Sequence, residues 1–237
     1  MKSVIVDERI SEKCLRGLML RGFDPITLPP DPCLGKAVAS HPDTVLFKLD
    51  GEIFTTADYC DAAAYVFSDI RERAPHIKIT FTSDTRSDSY PEDCKMNALV
   101  MGKRIFARLD SLSPAIIALS NTRGYELINT PQGYPSCTVL KLNEDHAITA
   151  DRGMAKVLRE NGIEVTLIRE GYISLPPHEY GFIGGASGVF ENKVYFFGDV
   201  KTHPDFDIIE KAVNGVGLDI VSLSNEELRD LGGIVFL

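Results

Sequence analysis

No run of about 18 apolar residues occurs in the 237-residue chain, and its N-terminal MKSVIVDERI turns acidic almost at once. Neither a membrane-spanning helix nor a secretory signal is therefore expected. Clusters of Lys and Arg are missing too, and with a formal net charge of −9 this argues against nonspecific binding to nucleic acid. Tryptophan is absent, which by itself excludes nothing. The five cysteines (Cys14, Cys33, Cys60, Cys94 and Cys137) are scattered, odd in number and contain no C-x-x-C pair. That pattern excludes a zinc knuckle or a disulfide frame and points to reduced, mostly buried thiols. Nucleotide motifs fail as well. GFIGGASGV lacks G-x-G-x-x-G and precedes a hairpin instead of a helix, while Val189 interrupts G-x-S-x-G around Ser187. The expectation is a soluble cytoplasmic protein, 44% hydrophobic and so able to build a packed core.

What is present is a repeated order of strand, tight turn, strand, helix and strand. CTVLKLNEDHAITADRGMAKVLRENGIEVTLI reads as a strand from Thr138, a polar turn at 143–145 and a second strand through Ala150. A helix then carries Met154, Val157 and Leu158 and stops at Gly162, and a return strand runs over 163–168. The same order recurs in NALVMGKRIFARLDSLSPAIIALSNTRGYELINT, with a turn at Gly102-Lys103, Pro114 opening the helix and Gly124 ending it. It recurs in SGVFENKVYFFGDVKTHPDFDIIEKAVNGVGLDIVSL, turning at 191–193 and closing its helix at Gly215 or Gly217. An earlier copy, from Asp43 to Thr82, turns at Asp50-Gly51, places Cys60, Ala64, Phe67 and Ile70 on one helical face and breaks at Pro75. The chain ends supply a fifth copy if they are joined: GGIVFL as first strand, then KSVIVD, a helix bearing Ile10, Cys14, Leu15 and Leu18, a stop at Gly22 and a return strand. A unit made from both ends favours a closed ring over an open array of such repeats. The fold class expected is α/β, a five-fold pseudosymmetric propeller of ββαβ units, with 1–237 as one domain.

Five ββαβ units closed as a ring resemble the pentein fold, the α/β propeller of arginine deiminases, amidinotransferases and dimethylarginine dimethylaminohydrolases. Ribosome-binding translation factors without catalysis share it. The tail from NKVYFFGDVKTHPDFDIIEKAV onward looks like the last pentein repeat, the runs QGYPSC, GYISLPPHEYGFIGGASG and DLGGIVFL look like a bacterial branch of this fold, and the resemblance spans essentially the whole chain. In the catalytic members the terminal segment carries the cysteine that attacks the guanidinium carbon. Here that segment is Asp230 to Leu237, DLGGIVFL, and it contains no nucleophile. The covalent thiouronium route therefore does not carry over to those positions.

In such a ring the start of each unit's first strand lies nearest the pseudo-axis. The expected wall is His41 and Asp43, Asn97, Cys137, Gly185 to Ser187, and Asp230 to Gly233. Cys137 is the one thiol placed there, and the resemblance makes His178, ahead of the glycine-rich strand, the counterpart of the family's histidine. Cys137 as nucleophile, His178 as base and Asp43 as carboxylate form one candidate set, with His41, Asn97, Gly185, Ser187 and Asp230 as substrate contacts. The competing reading is a buried cysteine opening a strand and an exposed loop histidine. Asp43, Asp199 and Asp230 could each pair a guanidinium or amine, although Asp230 could equally cap a turn and Asp199 end a strand. His203-Pro204-Asp205 opens a helix, where Thr202 would cap, so that copy of HPD is structural. At His41-Pro42-Asp43 no helix is expected to follow, which ranks it higher as a site. His76 and His146 read as loop and turn positions. No spacing suggests a metal, and no cofactor is expected. The function implied is binding of, or action on, a small cationic or amino-acid-like guanidino or amidino compound. The alternative is a noncatalytic scaffold for a ligand or protein. Oligomer formation is left open.

Overall fold

The computed structural model describes residues 2–237. Five three-stranded sheets are arranged in chain order, and each repeats one topology: a first strand antiparallel to a central strand, and a return strand parallel to that centre. This is the five-bladed α/β propeller. The four uninterrupted blades begin with strands Phe47–Leu49, Leu99–Met101, Val139–Lys141 and Ser187–Phe190. The fifth joins the chain ends, with Val235–Phe236 antiparallel to Lys2–Asp7 and Lys2–Asp7 parallel to Phe23–Leu28.

Turn chemistry explains the hairpins. Asp50 and Gly51 both adopt positive φ, 47° and 76°, which matches the twist of the flanking strands across a two-residue turn. Three of the crossover helices are capped by the side chain that precedes them. Glu12–Met19 is capped by Ser11 through Cys14 N, and Arg152–Glu160 by Asp151 through Met154 N. Pro114–Thr122 is capped by Ser113, and the buried side of each of these helices joins a core cluster shared by its own sheet and that of the preceding blade.

Four local expectations change. The helix expected to hold Cys60 and Ala64 on one buried face is two helices, Ala57–Ala62 and Ala64–Arg73. The break at Ala63 rotates the register, so Ala63, Val66, Phe67 and Ile70 are buried while Ala64 is exposed. Residues 135–138 form a helical turn, Pro135–Thr138, and the strand starts one residue later than expected, at Val139. A short helix, Pro42–Val45, does follow His41, with Pro42 preset for its first turn. Finally, the helix after His203-Pro204-Asp205 begins only at Phe206. Thr202 does not cap it, and Asp205 instead receives Arg169 through its backbone N–H and its guanidinium.

Backbone hydrogen bonds stitch the blades together at the centre. Asp43 N donates to Gly232 O at 3.2 Å, Gly233 N to Gly185 O at 2.8 Å and Gly185 N to Cys137 O at 2.8 Å. Ser136 N donates to Asn97 Oδ1 at 2.9 Å. These bonds require close backbone approach, and the glycine-rich run permits it. A Cβ on Gly184 would strike three carbonyl oxygens of residues 136–139, and one on Gly185 would overlap Asp230 Oδ1. The run is thus axial packing.

Candidate functional site

At the centre of the ring the short helical turns Pro42–Val45 and Pro135–Thr138 bring two side chains from different blades together. Cys137 Sγ donates a hydrogen bond to Asp43 Oδ2 at 2.7 Å. Asn97 Nδ2 points at the same sulfur from 3.7 Å, while its Oδ1 is held by Ser136 N. Asp43 and Cys137 are both buried. Burial pushes the Asp43 carboxyl well above the ordinary range and Asp230 adds to the shift, against the bonds from Cys137, Thr44 and Asn97. Burial, followed by the neighbouring carboxylates Asp43 and Asp230, likewise drives the Cys137 thiol well up.

Beside this pair lie His41 and Asp230, fully buried or nearly so. Asp230 accepts from Phe182 N at 2.8 Å and Gly232 N at 3.1 Å. Its pKa rises to about 6 because burial outweighs those two N–H donors. His41 faces Asp7 Oδ2 through Nε2 and Asp230 Oδ1 through Nδ1, each at 3.8 Å, and neither ring nitrogen has a hydrogen-bond partner. Burial, with Arg9 and Arg229 nearby, lowers it to about 3, so the imidazole is neutral. Gly232, at φ +69°, makes the packing feasible, since a Cβ there would collide with His41.

His41, Cys137 and Asp230 form the floor of a cavity of about 710 Å3. Its walls include Asp93, Tyr134, Leu175 and Phe182, and its rim is made by the exposed residues Lys36, Asp88, Tyr90, His178 and Glu179. Tyr134 Oη donates to Asp93 Oδ2, and the Tyr90 and Tyr134 rings lie 6.0 Å apart.

The sequence-derived candidates thus separate. Cys137, Asp43, Asn97, His41 and Asp230 meet at the axis. His178 is exposed on the rim of the same cavity and makes no hydrogen bond to Cys137. Gly185 packs against Asp230, while Ser187 donates to Ile183 O at 2.7 Å and, with Asp43, faces a second cavity of about 540 Å3. Asp199 caps Val200–Thr202 away from the axis, and His203 accepts from Asp205 N. Sequence reasoning missed Asp7, Asp93 and Tyr134. Asp7 ends the central strand of the joined blade, a position the repeat alignment contained but whose side chain it did not aim.

The geometry stands beside that of known proteins. Among curated proteins, no sequence matches the chain. Solved structures do match. A mutant DDAH of Pseudomonas aeruginosa complexed with citrulline is 11% identical over 100% of this chain and 99% of its own, with a TM-score of 0.59. The inosamine-phosphate amidinotransferase of Streptomyces griseus is 13% identical, over 99% and 93%, at 0.57. The agmatine deiminase of C. jejuni is 9% identical, over 96% and 90%, at 0.55. At these identities the likeness speaks to the fold, which is that of the penteins. The profile of the family of unknown function DUF6873 matches residues 5–235. The chain therefore belongs to family DUF6873, a family with the pentein fold.

Proposed function

We propose that the 710 Å3 cavity binds a small guanidino, amidino or amino-acid-like cation. One observation carries this reading. Four carboxylates, Asp88, Asp93, Glu179 and Asp230, line the cavity against a single lysine, Lys36. Carboxylates offer paired acceptors to a planar guanidinium, and aromatic rings, here Tyr134 and Phe182, attract cations. The fold shared with amidinohydrolases and amidinotransferases agrees with this ligand class but does not choose among ligands. The test is a thermal-shift screen with arginine, agmatine, citrulline and alkylamines on chelator-treated protein. A ligand at 100 times its Kd stabilises by about 2.7 kcal/mol, so binding is readable as a rise in Tm. Glu179→Gln should reduce the shift. No stabilisation by any of these compounds would overturn the reading.

The 2.7 Å contact between Cys137 and Asp43 favours a second, catalytic reading of the same cavity. In it the thiol proton passes to Asp43 and Sγ bonds to the amidino carbon. The C–N bond then breaks, and the leaving amine takes the proton back. Water, in a hydrolase, or a second amine, in a transferase, would release the amidino group from sulfur. Intact-mass detection of an adduct on the parent that is lost in Cys137→Ala tests it. Ligand binding without adduct or turnover would leave the noncatalytic scaffold. A single domain over 1–237 and a cytoplasmic setting accord with five free thiols and with hydrogen bonds running from blade to blade.

A further inference from the structure

Three side chains from three separate parts of the chain converge on the floor of the cavity with the donor set of a transition-metal centre. One ligand atom from each of His41, Cys137 and Asp230 lies within 4.8 Å of the others, and all three residues are buried. A tetrahedral zinc ion, about 2.0 Å from nitrogen and oxygen and about 2.3 Å from sulfur, separates its ligand atoms by roughly 3.5 Å. Closing the triangle on an ion needs a contraction of about 1 Å or a little more.

A second observation is independent of the clustering. His41 is wholly buried, yet neither Nδ1 nor Nε2 has a hydrogen-bond partner. An imidazole in that condition has lost hydration at both nitrogens without replacement, which native structures rarely leave unexplained. A metal on Nδ1, the nitrogen facing Asp230, would satisfy one of them, and Nε2–H could then turn to Asp7 Oδ2, now 3.8 Å away. Carboxylate, imidazole and metal in line is the arrangement by which proteins orient histidine ligands. The other two ligands are oriented already: Asp230 by the N–H groups of Phe182 and Gly232, and Cys137 by Asn97.

From these contacts we infer that His41, Cys137 and Asp230 form a site for a divalent transition metal of the zinc class, with its fourth position open to the cavity. Thiolate and imidazole donors select such ions over magnesium or calcium. Binding breaks the S–H bond and forms a metal–sulfur bond. The proton passes to Asp43 Oδ2, 2.7 Å from the sulfur, on the side of the second cavity. This inference goes beyond the organic-cation reading and does not rest on it.

The test titrates chelator-stripped full-length protein with zinc chloride by calorimetry and, separately, with cobalt chloride by absorption. One zinc per chain is expected, together with a thiolate-to-cobalt charge-transfer band that reports Cys137 directly. Cys137→Ser should abolish that band and weaken zinc binding by more than the 10–100-fold typical of losing an orienting residue, whereas Asp7→Asn should fall within that range. Glu179→Gln, on the rim, should leave zinc affinity unchanged while weakening the amine, so the two readings fail separately. Absence of the charge-transfer band in the parent overturns the site, a measurement that needs no variant to fold. So does zinc affinity equal in the parent and a folded Cys137→Ser.

Discussion

Cys137 Sγ lies 2.7 Å from Asp43 Oδ2, so a thiol from one blade answers a carboxyl group from another at a buried junction. Removing the donor leaves Asp43 short of one partner, and an unsatisfied buried polar group costs about 1–3 kcal/mol. Cys137→Ala should destabilise the protein by about that much, and Cys137→Ser, which keeps a donor, by clearly less. Urea unfolding in chelator measures both. Equal losses for Ser and Ala would mean the hydrogen bond contributes nothing to stability.

The axial glycines make a sharper stability prediction. Gly185→Ala drives a methyl group into Asp230. Overpacking of this kind typically costs about 1–3 kcal/mol. Gly215→Ala, at the last residue of helix Phe206–Gly215 with open space at its Cβ position, should be neutral or slightly stabilising. Thermal melts should show a lower Tm for Gly185→Ala and no lowering for Gly215→Ala. Equal tolerance of both would refute close packing at the axis.

Arg86 and Asp31 form a buried ion pair, with Arg86 Nη2 also donating to Thr56 Oγ1 at 2.8 Å and Nη1 to Thr44 O at 3.2 Å. Asp31→Ala strands the guanidinium and should cost about 3–5 kcal/mol, whereas replacing both partners with apolar residues of similar volume should cost much less. Denaturant unfolding of the single and double variants decides this. An additive double variant would contradict it.

Glu52 contributes one acid-side pH dependence. Burial raises its pKa, but hydrogen bonds from Lys78, Thr80 and Arg123 outweigh that effect, and the folded value lies below the ordinary one. A depressed carboxyl pKa stabilises the fold fully above the unfolded value of about 4.3, and that stability is lost as the pH falls through the folded value. The parent should therefore lose stability below about pH 4 more steeply than Glu52→Gln. Superimposable acid-unfolding profiles would show the network to be electrostatically silent.

Much of the ring was legible because its signals are local. Asp50-Gly51, Gly102, Gly124 and Gly162 adopt the positive φ that their turns and helix stops require, and the apolar spacing around Met154 and Leu158 gave the buried face. Joining GGIVFL to KSVIVD was legible from repeat order, and the register Val4 to Phe236 shows the pairing. The break at Ala63 was not, since no glycine or proline marks it. Nor was the helical turn after His41, four residues long and too short for periodicity to register. At the site, topology brought the starts of the blades to the axis, which gathered Cys137, Asp43, Asn97, His41 and Asp230. Side-chain direction was beyond it. Whether Ser187 faces the same cavity as Cys137, or whether His178 reaches the sulfur, depends on rotamers and loop paths that repeat spacing does not encode.

The blade assembled from both chain ends has a consequence for biosynthesis. Lys2–Asp7 is synthesised more than 200 residues before its partner Val235–Phe236 and the floor residue Asp230. The four uninterrupted blades can each pair locally during synthesis, whereas the cavity floor gains Asp230 only when the segment that carries Val235–Phe236 arrives. Contacts of such sequence separation form late and slowly. A nascent chain arrested before Asp230 would therefore carry an incomplete pocket.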